Sequence, residues 1–420
     1  MTLHIENFGK IKKADIELDG LTVVAGQNDT GKSTIGKALF AIVKSISEYP
    51  ELYEEVKRVK IFPKIIEFNF EALNNKTLQK NKIIINEIND LQKSILNLLR
   101  NGEDENIVKF DFLSFFKNIK ASFPEEENDS NKDFIRRLDE LLDIVRELPE
   151  DEVYKEIVNY VFMYSFEGNI NNSCHLENMA TLSYSAYDEL ISKVSFIENK
   201  IESTLFDISK KNFVFGGSTL IDTPLYLEGF KAHSYIGGDL ISKLKSALKH
   251  LNENDLPILK KIEDVLNGAT FSYNDKSGLE YRVNSSAAPL RISNIASGEK
   301  AFGILYILLK GMQITRNSVI ILDEPENHLH PEWQIKYAEF LTLLVKEGYY
   351  ILLTSHSPFF LQALKLYADK YGVLENKAHF YLAEKINDGS NYSNIKDVTD
   401  KTEEIFANLA APLDKLFMVD

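Results

Sequence analysis

The sequence predicts an α/β fold with a central, mostly parallel sheet, an added antiparallel β layer and a large helical insertion. Three observations predict it. Apolar, β-branched runs typical of buried strands occur at 21–25, 318–323 and 349–353, and a turn or polar residues follow each run. Residues 50–210 contain few glycines and show apolar positions at helical spacing. Strand character returns from residue 213, so the chain passes from sheet to helices and back.

This pattern divides the 420 residues into three segments. Residues 1–49 are expected to form the N-terminal part of the α/β unit, and residues 211–420 its C-terminal part. Residues 50–210 are expected to be the helical insertion between them. The length is sufficient for two or three structural units.

The composition excludes several classes of protein. A hydrophobic content of 44% with 26% charged residues excludes an intrinsically disordered chain. The net charge of −15 argues against a protein that coats nucleic acid, although a local basic patch is compatible with it. The single cysteine, Cys174, excludes an internal disulfide. We find no run long enough to span a membrane and no signal peptide, and we expect a cytoplasmic protein without a membrane partner.

The N-terminal residues have the pattern of successive strands followed by a helix. Residues 3–8 and 14–18 alternate between apolar and polar side chains, with Gly9 as a turn residue between them. Residues 21–25 form a β-branched run of the kind that a buried strand needs. Residues 33–46 then carry apolar side chains at helical spacing.

The loop between this strand and this helix, residues 26–33, reads GQNDTGKS and fits the pattern G-x-x-x-x-G-K-[ST]. The N–H groups of such a loop point inward at phosphate oxygens, and its lysine places a cation on the β- and γ-phosphates. The serine hydroxyl is suited to bind Mg²⁺, and the helix adds its positive N-terminus. The expected nucleotide-binding residues are Gly26, Asn28, Asp29, Thr30, Gly31, Lys32, Ser33 and Thr34.

Residues 50–210 contain three apolar faces with the spacing of packed helices. Their members are Ile84, Ile88, Leu91, Ile95 and Leu98; Phe134, Leu138, Leu141, Val145 and Leu148; and Leu190, Val194, Ile197, Ile201, Leu205 and Ile208. These faces predict a helical subdomain that buries them together. A partner-binding coiled coil is the alternative, but two or three heptads are few for a free-standing one.

Two features precede the second apolar strand. Residues 269–273 and 279–283 flank Asn-Asp-Lys-Ser-Gly and predict a β-hairpin. Residues 291–300 read RISNIASGEK and lead into an apolar helix. The Ser-Gly pair at the helix start is either an anion-binding terminus or an N-cap without a ligand. Its position 25 residues before Asp323 favours the first interpretation.

Two strands end in residues with hydrolytic chemistry. Asp323 and Glu324 close the strand that begins at residue 318, and neighbouring carboxylates on a strand point to opposite faces. Asp323 is suited to orient Mg²⁺, and Glu324 is suited to act as the general base on water. His356 follows the strand at 349–355, where it can contact a γ-phosphate or the attacking water. A capping or buried histidine is the alternative.

Two further histidines, His328 and His330, could form a metal site. No further Cys or His pattern supports that interpretation.

Four motifs follow one another in the order GQNDTGKS, SGEK, VIILDEPENHLHP and LLTSHSP. Together they resemble the ABC-type ATPase heads of the SMC, RecF and OLD branch. The likeness is closest to the compact OLD-like AAA ATPases of bacterial anti-phage and toxin–antitoxin systems. The resemblance implies a P-loop ABC-type head and an ATPase with ATP and Mg²⁺ as cofactors. It also implies that two heads sandwich two ATP molecules. Ser297, Gly298 and Glu299 of one subunit would then meet the γ-phosphate held by Lys32 of the other.

The resemblance further implies an ATP-gated switch, as a homodimer or higher homo-oligomer, that controls an effector or toxin protein in bacterial defence. A DNA-repair or chromosome-associated ATPase of RecF or SMC type is the alternative, and the net charge of −15 disfavours the DNA-binding face that it needs. Nuclease activity is not expected, because OLD nucleases carry a metal-binding domain after the head and no D-x-D follows His356. The stretch where these heads carry a Q-loop glutamine, residues 213–225, offers Asp222 instead.

Overall fold

The computed structural model divides the chain into two compact units, residues 1–48 with 158–420 and residues 49–157. It describes residues 1–50, 52–53, 56, 68, 78–80, 82, 84–91, 112–121, 132, 134–140, 149–228, 234–251, 256–274, 278–283, 289–327 and 329–416.

The strands are β1 (Thr2–Phe8), β2 (Ile11–Glu17), β3 (Leu21–Gly26), β4 (Ala180–Ala186), β5 (Glu189–Ile197), β6 (Lys200–Phe206), β7 (Gly217–Ile221), β8 (Thr270–Asn274), β9 (Gly278–Arg282), β10 (Leu290–Arg291), β11 (Ser318–Asp323), β12 (Tyr350–Ser355), β13 (Ala378–Lys385) and β14 (Ser393–Asp397). The α-helices are α1 (Lys32–Ser47), α2 (Phe112–Ala121), α3 (Glu150–Ser165), α4 (Tyr235–Lys249), α5 (Pro257–Val265), α6 (Ser297–Lys310), α7 (Pro331–Lys346), α8 (Pro358–Lys370), α9 (Leu374–Lys377) and α10 (Glu403–Leu416). Short 3₁₀ turns lie at Leu78–Lys80, Ile208–Phe213, Pro224–Glu228, Ile292–Asn294 and Thr399–Lys401.

The first unit is built on a sheet of eleven strands in the order β6-β5-β4-β1-β2-β14-β13-β3-β12-β11-β7. Strands β13, β3, β12, β11 and β7 are parallel to one another. All six residues of β3 are buried, as expected for a strand in the middle of a parallel sheet. Helix α1 packs on this half of the sheet, against β7, β12, β11 and β3. The predicted α/β fold with a central parallel sheet is confirmed.

The antiparallel part differs in detail from the expectation. Strands β1 and β2 belong to the same large sheet, because β2 pairs in parallel with β14. The hairpin β8–β9 pairs with β10 in a separate three-stranded sheet. Its buried Phe271 and Tyr281 pack into the hydrophobic core that includes α6.

The helical interpretation of the face from Leu190 to Ile208 is wrong. This segment forms β5 and β6, which continue the antiparallel meander from β4. Leu190 and Leu205, two members of the predicted face, are 38% and 49% exposed. The meander turns at Tyr187–Asp188 and Glu198–Asn199, where all four residues have φ between 51° and 62°. Such paired left-handed residues make tight hairpins, and glycine normally marks them in a sequence.

Residues 158–210 consequently pack in the first unit rather than in the insertion. The ring of Phe8 on β1 lies 6.3 Å from that of Phe162 and 6.0 Å from that of Phe196, between ring centroids. Aromatic contacts of this kind tie the end of α3 and the strand β5 to the N-terminal strands.

The second unit, residues 49–157, is helical where the structure describes it. Five members of the first two predicted faces, Ile84, Ile88, Leu91, Phe134 and Leu138, are buried. The other members of these two faces, Ile95, Leu98, Leu141, Val145 and Leu148, lie outside the described residues. Phe68 contacts Phe116 and Phe134 with ring centroids 5.3 and 5.0 Å apart. These burials favour a subdomain that covers its own apolar faces.

A buried ion-pair network joins α1 to α4. Lys44 Nζ lies 2.7 Å from Asp239 Oδ1 and 2.6 Å from Glu48 Oε1. Lys243 Nζ lies 2.8 Å from the other oxygen of Asp239. The side chains of Lys44 and Asp239 are only 8% and 9% exposed, so each charge is stabilised by the other rather than by water.

We therefore expect Asp239→Ala to lower the free energy of unfolding by about 3–5 kcal/mol, because it leaves Lys44 buried without its main partner. Glu347→Ala is the matched control, since Glu347 and its partner Arg316 are 52% and 67% exposed. The control should cost less than about 1 kcal/mol. Urea unfolding would measure both, and equal effects would contradict the importance of burial.

Within the described residues, no helix has both the length and the apolar character needed to cross a membrane.

Candidate active site

The phosphate loop joins the end of β3 to the start of α1. A Cβ atom at Gly26 would lie 2.5 Å from the carbonyl oxygen of Ala383 on β13, so this position requires glycine. Asp29 and Gly31 have φ angles of 67° and 84°, and these left-handed conformations curl the backbone of the loop. Thr30 donates a hydrogen bond from Oγ1 to the carbonyl of Gln27 at 2.8 Å and closes the curl. These contacts fix the curled shape of the loop.

The ammonium of Lys32 lies inside this curl. Its side chain is 3% exposed, and Nζ donates to the Gln27 carbonyl at 2.9 Å. The same atom lies 3.5 Å from Glu324 Oε1. A buried cation whose described polar contacts are a carbonyl and one carboxylate suits an incoming phosphate.

Ser33 and Asp323 meet although 290 residues separate them. Ser33 Oγ donates to Asp323 Oδ1 at 2.9 Å, and Thr354 Oγ1 donates to the same oxygen at 2.6 Å. Strands β3, β12 and β11 are parallel neighbours, so their carboxyl ends lie at one edge of the sheet. Thr354 was not anticipated from the sequence.

These oxygens fit Mg²⁺, which prefers one or two protein oxygens together with water and substrate phosphates. Among the described residues, no group of three or more His, Cys, Asp or Glu side chains is arranged to hold a metal ion. Ser33 and Asp323 supply only part of the coordination shell of Mg²⁺, so a metal here would also need water and phosphate oxygens. His328 lies outside the described residues. The ring of His330 accepts from the Glu332 N–H at 3.4 Å and caps α7.

Glu324 follows β11 in a left-handed conformation, with φ of 47°. Its N–H donates to Thr354 Oγ1 at 3.0 Å, and Asn327 Nδ2 donates to its Oε2 at 3.0 Å. His356 Nδ1 lies 3.2 Å from Oε1. Burial raises the pKa of Glu324, but the Asn327 hydrogen bond and the charges of His356 and Lys32 outweigh it and bring the pKa below its ordinary value. The carboxylate is thus held ionised, as a base must be.

A cavity of about 490 Å³ opens above the loop. Part of its lining was expected at a nucleotide site: Asn28, Asp29, Thr30, Gly31, Lys32, Ser33, Thr34 and Glu324. Gly26, which was also expected there, is not part of the lining. The rest of the lining consists of Gly9, Lys10, Asn169, Asn171, Asn172, Ser173 and Asn391. The contribution of residues 169–173 was not anticipated, because they fall in the segment assigned to the helical insertion.

The carboxylate of Asp29 is neutralised by two lysines at the cavity mouth. Lys10 and Lys385 both form ion pairs with it, the second at 3.1 Å. Their hydrogen bonds lower the pKa of Asp29. A negative charge in this loop would repel an anion, and these two cations offset that repulsion.

Ser297, Gly298 and Glu299 form the first turn of α6. Glu299 Oε2 accepts from the Ala296 N–H at 2.9 Å, and Oε1 accepts from the Tyr281 hydroxyl at 2.8 Å. These contacts give Glu299 a local capping role. Of these three residues, none lines the cavity described above.

Gly298 packs directly beneath the ring of Trp333, and a Cβ atom there would overlap the indole. We expect Gly298→Ala to destabilise the fold by about 1–3 kcal/mol, because the indole must move. Gly217→Ala is the matched control, since no atom lies within 4 Å of its added Cβ. Denaturant unfolding followed by the fluorescence of Trp333, the single tryptophan, would compare them. Equal stability of both variants would contradict the close contact.

Asp222 follows β7, which pairs with β11 on the far side from β12. It borders a smaller cavity of about 130 Å³ together with Asp323, Glu324 and Asn327. Loss of hydration raises the pKa of Asp222, and the negative charge of Asp323 adds to this effect. The structure thus places Asp222 beside the acidic strand end.

Glu326 was missed by the sequence reasoning. It is buried, and its Oε1 accepts from Ser355 Oγ at 2.5 Å and from the His356 N–H at 3.1 Å. The sequence signal for Glu326 was its position directly after Glu324-Pro325. From the sequence, a glutamate there looks like one more solvent-exposed acid.

Comparison with known proteins relates the chain to one family. The family described as "AAA domain, putative AbiEii toxin, Type IV TA system" matches residues 21–362. No curated protein matches the chain. Similar solved structures include the SMC head domain from Thermotoga maritima, with 11% identity, a TM-score of 0.41, and coverage of 94% of this chain and 98% of that one.

Another is the Smc head domain with an extended coiled coil, bound to the C-terminal domain of ScpA, derived from Pyrococcus furiosus. It shows 11% identity and a TM-score of 0.35, and the match covers 97% of this chain and 98% of that chain. The family match covers most of the chain and includes the phosphate loop, the acidic strand end and His356. The chain therefore belongs to this family of AAA-domain proteins and is a P-loop ATPase.

Proposed function

We propose that the protein is an ATP-driven switch that dimerises around ATP and controls an effector protein of a bacterial defence system in the cytoplasm. The observation that carries the proposal is the convergence of Lys32, Ser33, Asp323 and Glu324 at one sheet edge. The family description, which names a type IV toxin–antitoxin system, supports the defence role. The charge of −15 supports a protein effector rather than DNA.

Each residue at this edge has a separate task in the proposal. Lys32 and the loop N–H groups bind the β- and γ-phosphates. Ser33 and Asp323 hold Mg²⁺, which when bound neutralises phosphate charge. Glu324 takes a proton from the attacking water, and His356 orients Glu324 and contacts the γ-phosphate.

The proposed dimer explains the position of Ser297 and Gly298. They begin a fourteen-residue helix whose positive N-terminus is suited to bind an anion, yet they do not line the cavity described for their own chain. In a symmetric dimer they would meet the γ-phosphate of the partner. Each site would then need residues from both subunits.

Mixing two inactive variants tests this arrangement. Lys32→Ala damages the phosphate loop, and Ser297→Arg blocks the surface offered to the partner. A heterodimer of the two retains one intact site, so a random mixture should recover roughly a quarter of wild-type hydrolysis. Lys32→Ala mixed with Glu324→Gln is the control, because both changes affect the same cavity and leave no intact site. Equal activity in both mixtures would contradict the shared site.

The effector proposal needs a separate experiment. The tagged protein would be purified from its native host with Mg²⁺ and a non-hydrolysable ATP analogue, and again without nucleotide. We expect a specific protein to co-purify in only one of the two states. Co-purifying DNA, with DNA-stimulated hydrolysis that falls steeply with salt, would favour the alternative of a DNA-repair or chromosome-associated ATPase of RecF or SMC type.

A further inference from the structure

A buried carboxyl group lies behind the active site. The side chain of Glu326 is 3% exposed, and its Oε2 has no hydrogen-bond partner among the described residues. Its other oxygen, Oε1, accepts two hydrogen bonds. Burying a carboxyl group with an unsatisfied oxygen is costly, and here burial raises its pKa. A residue with this cost is expected to serve a purpose that an apolar side chain cannot serve.

The hydrogen bonds of Glu326 hold the junction between β12 and α8. Ser355 Oγ donates to Glu326 and accepts from the Ser357 N–H at 3.1 Å. Ser357 Oγ in turn accepts from the Phe360 N–H at 3.3 Å and caps α8. The His356 N–H donates to the same oxygen of Glu326. One buried acceptor thus sets the backbone on both sides of the His356 side chain.

The imidazole of His356 lies between two carboxyl groups. Its Nδ1 is 3.2 Å from Glu324 Oε1 and 3.8 Å from Glu326 Oε1. Glu324 faces the cavity, whereas Glu326 is buried. Any shift of the junction would therefore change the distance between His356 and Glu324.

We propose that Glu326 is a positioning residue for ATP hydrolysis, which anchors the 355–357 junction and holds the His356 imidazole against Glu324. This inference rests on the proposed role of His356 in hydrolysis. Glu326 itself touches neither the cavity nor the phosphate loop among the described contacts. Its effect on the reaction should therefore pass through His356.

A double-mutant cycle tests this route. We expect Glu326→Ala and His356→Ala each to lower kcat about tenfold to a hundredfold, with KM for ATP nearly unchanged. The reason is that a misplaced or missing imidazole slows the hydrolysis step but leaves the binding of ATP intact. The double variant should be no slower than His356→Ala alone, since both act through one group. Glu326→Gln keeps an oxygen acceptor and should recover most of the activity that Glu326→Ala loses. Glu332→Ala, an exposed acid on α7, is the control and should match wild type.

The outcomes separate the two hypotheses. If the effects of Glu326→Ala and His356→Ala multiply, Glu326 acts elsewhere and the positioning role is wrong, while the role of His356 stands. If His356→Ala hydrolyses ATP like wild type, the proposed role of His356 fails and this inference fails with it. Should Glu326→Ala not fold, Ser355→Ala, which removes the donor to Glu326, enters the same cycle with the same expectations.

Discussion

Replacing Lys32 by alanine is expected to abolish ATP hydrolysis, with a loss of at least about 10²–10³-fold in kcat/KM. The Lys32 ammonium is the buried cation inside the loop, and no described lysine is placed to substitute for it. The nearby Lys10 and Lys385 already form ion pairs with Asp29. The triphosphate would enter a loop that retains only its N–H donors, so ATP affinity should fall as well.

Steady-state hydrolysis and calorimetric ATP binding would measure this effect. Lys13→Ala is the matched control, because Lys13 lies on β2 with 71% of its side chain exposed. The control should hydrolyse ATP at the wild-type rate. Wild-type hydrolysis by Lys32→Ala would refute the assignment of the phosphate loop.

Glu324→Gln is expected to separate binding from hydrolysis. The amide keeps the size and one acceptor of the carboxylate but cannot take a proton from water, so kcat should fall about 10²–10⁴-fold. The backbone contacts of Glu324 to Thr354 remain, and the phosphate loop is untouched. ATP affinity should therefore stay within about threefold of wild type, or rise, because the negative charge near the phosphates is removed.

Single-turnover hydrolysis and equilibrium ATP binding would test this separation. Light scattering with ATP and Mg²⁺ should also show a dimer that persists in Glu324→Gln and decays in wild type as ATP is consumed. Glu347→Gln, on the exposed surface, is the control. A Glu324→Gln variant that hydrolyses ATP normally would exclude Glu324 as the base.

The fold class was predictable because each β-branched run and each apolar helical face shows which side chains of a single element are buried. The strand, loop and helix at residues 21–47 were predictable for a related reason: the loop residues are contiguous, and the backbone shape of the loop depends on Gly26 and Gly31. The error at 190–208 has an equally local cause. Apolar residues three and four apart fit a helix, and the turns at Tyr187–Asp188 and Glu198–Asn199 contain no glycine to mark a hairpin.

From the sequence alone one could predict the β3–loop–α1 unit, the strand that ends in Asp323 and the order of the candidate functional residues. The three-dimensional structure was needed to show that Ser33 and Asp323 share a hydrogen bond, that asparagines from the 169–173 segment line the same cavity as the loop, and that Glu326 is buried against His356. Local pattern encodes which side of an element is apolar. Contacts between residues far apart in the chain depend on strand order and on the pairing of whole elements, which no short stretch of sequence contains.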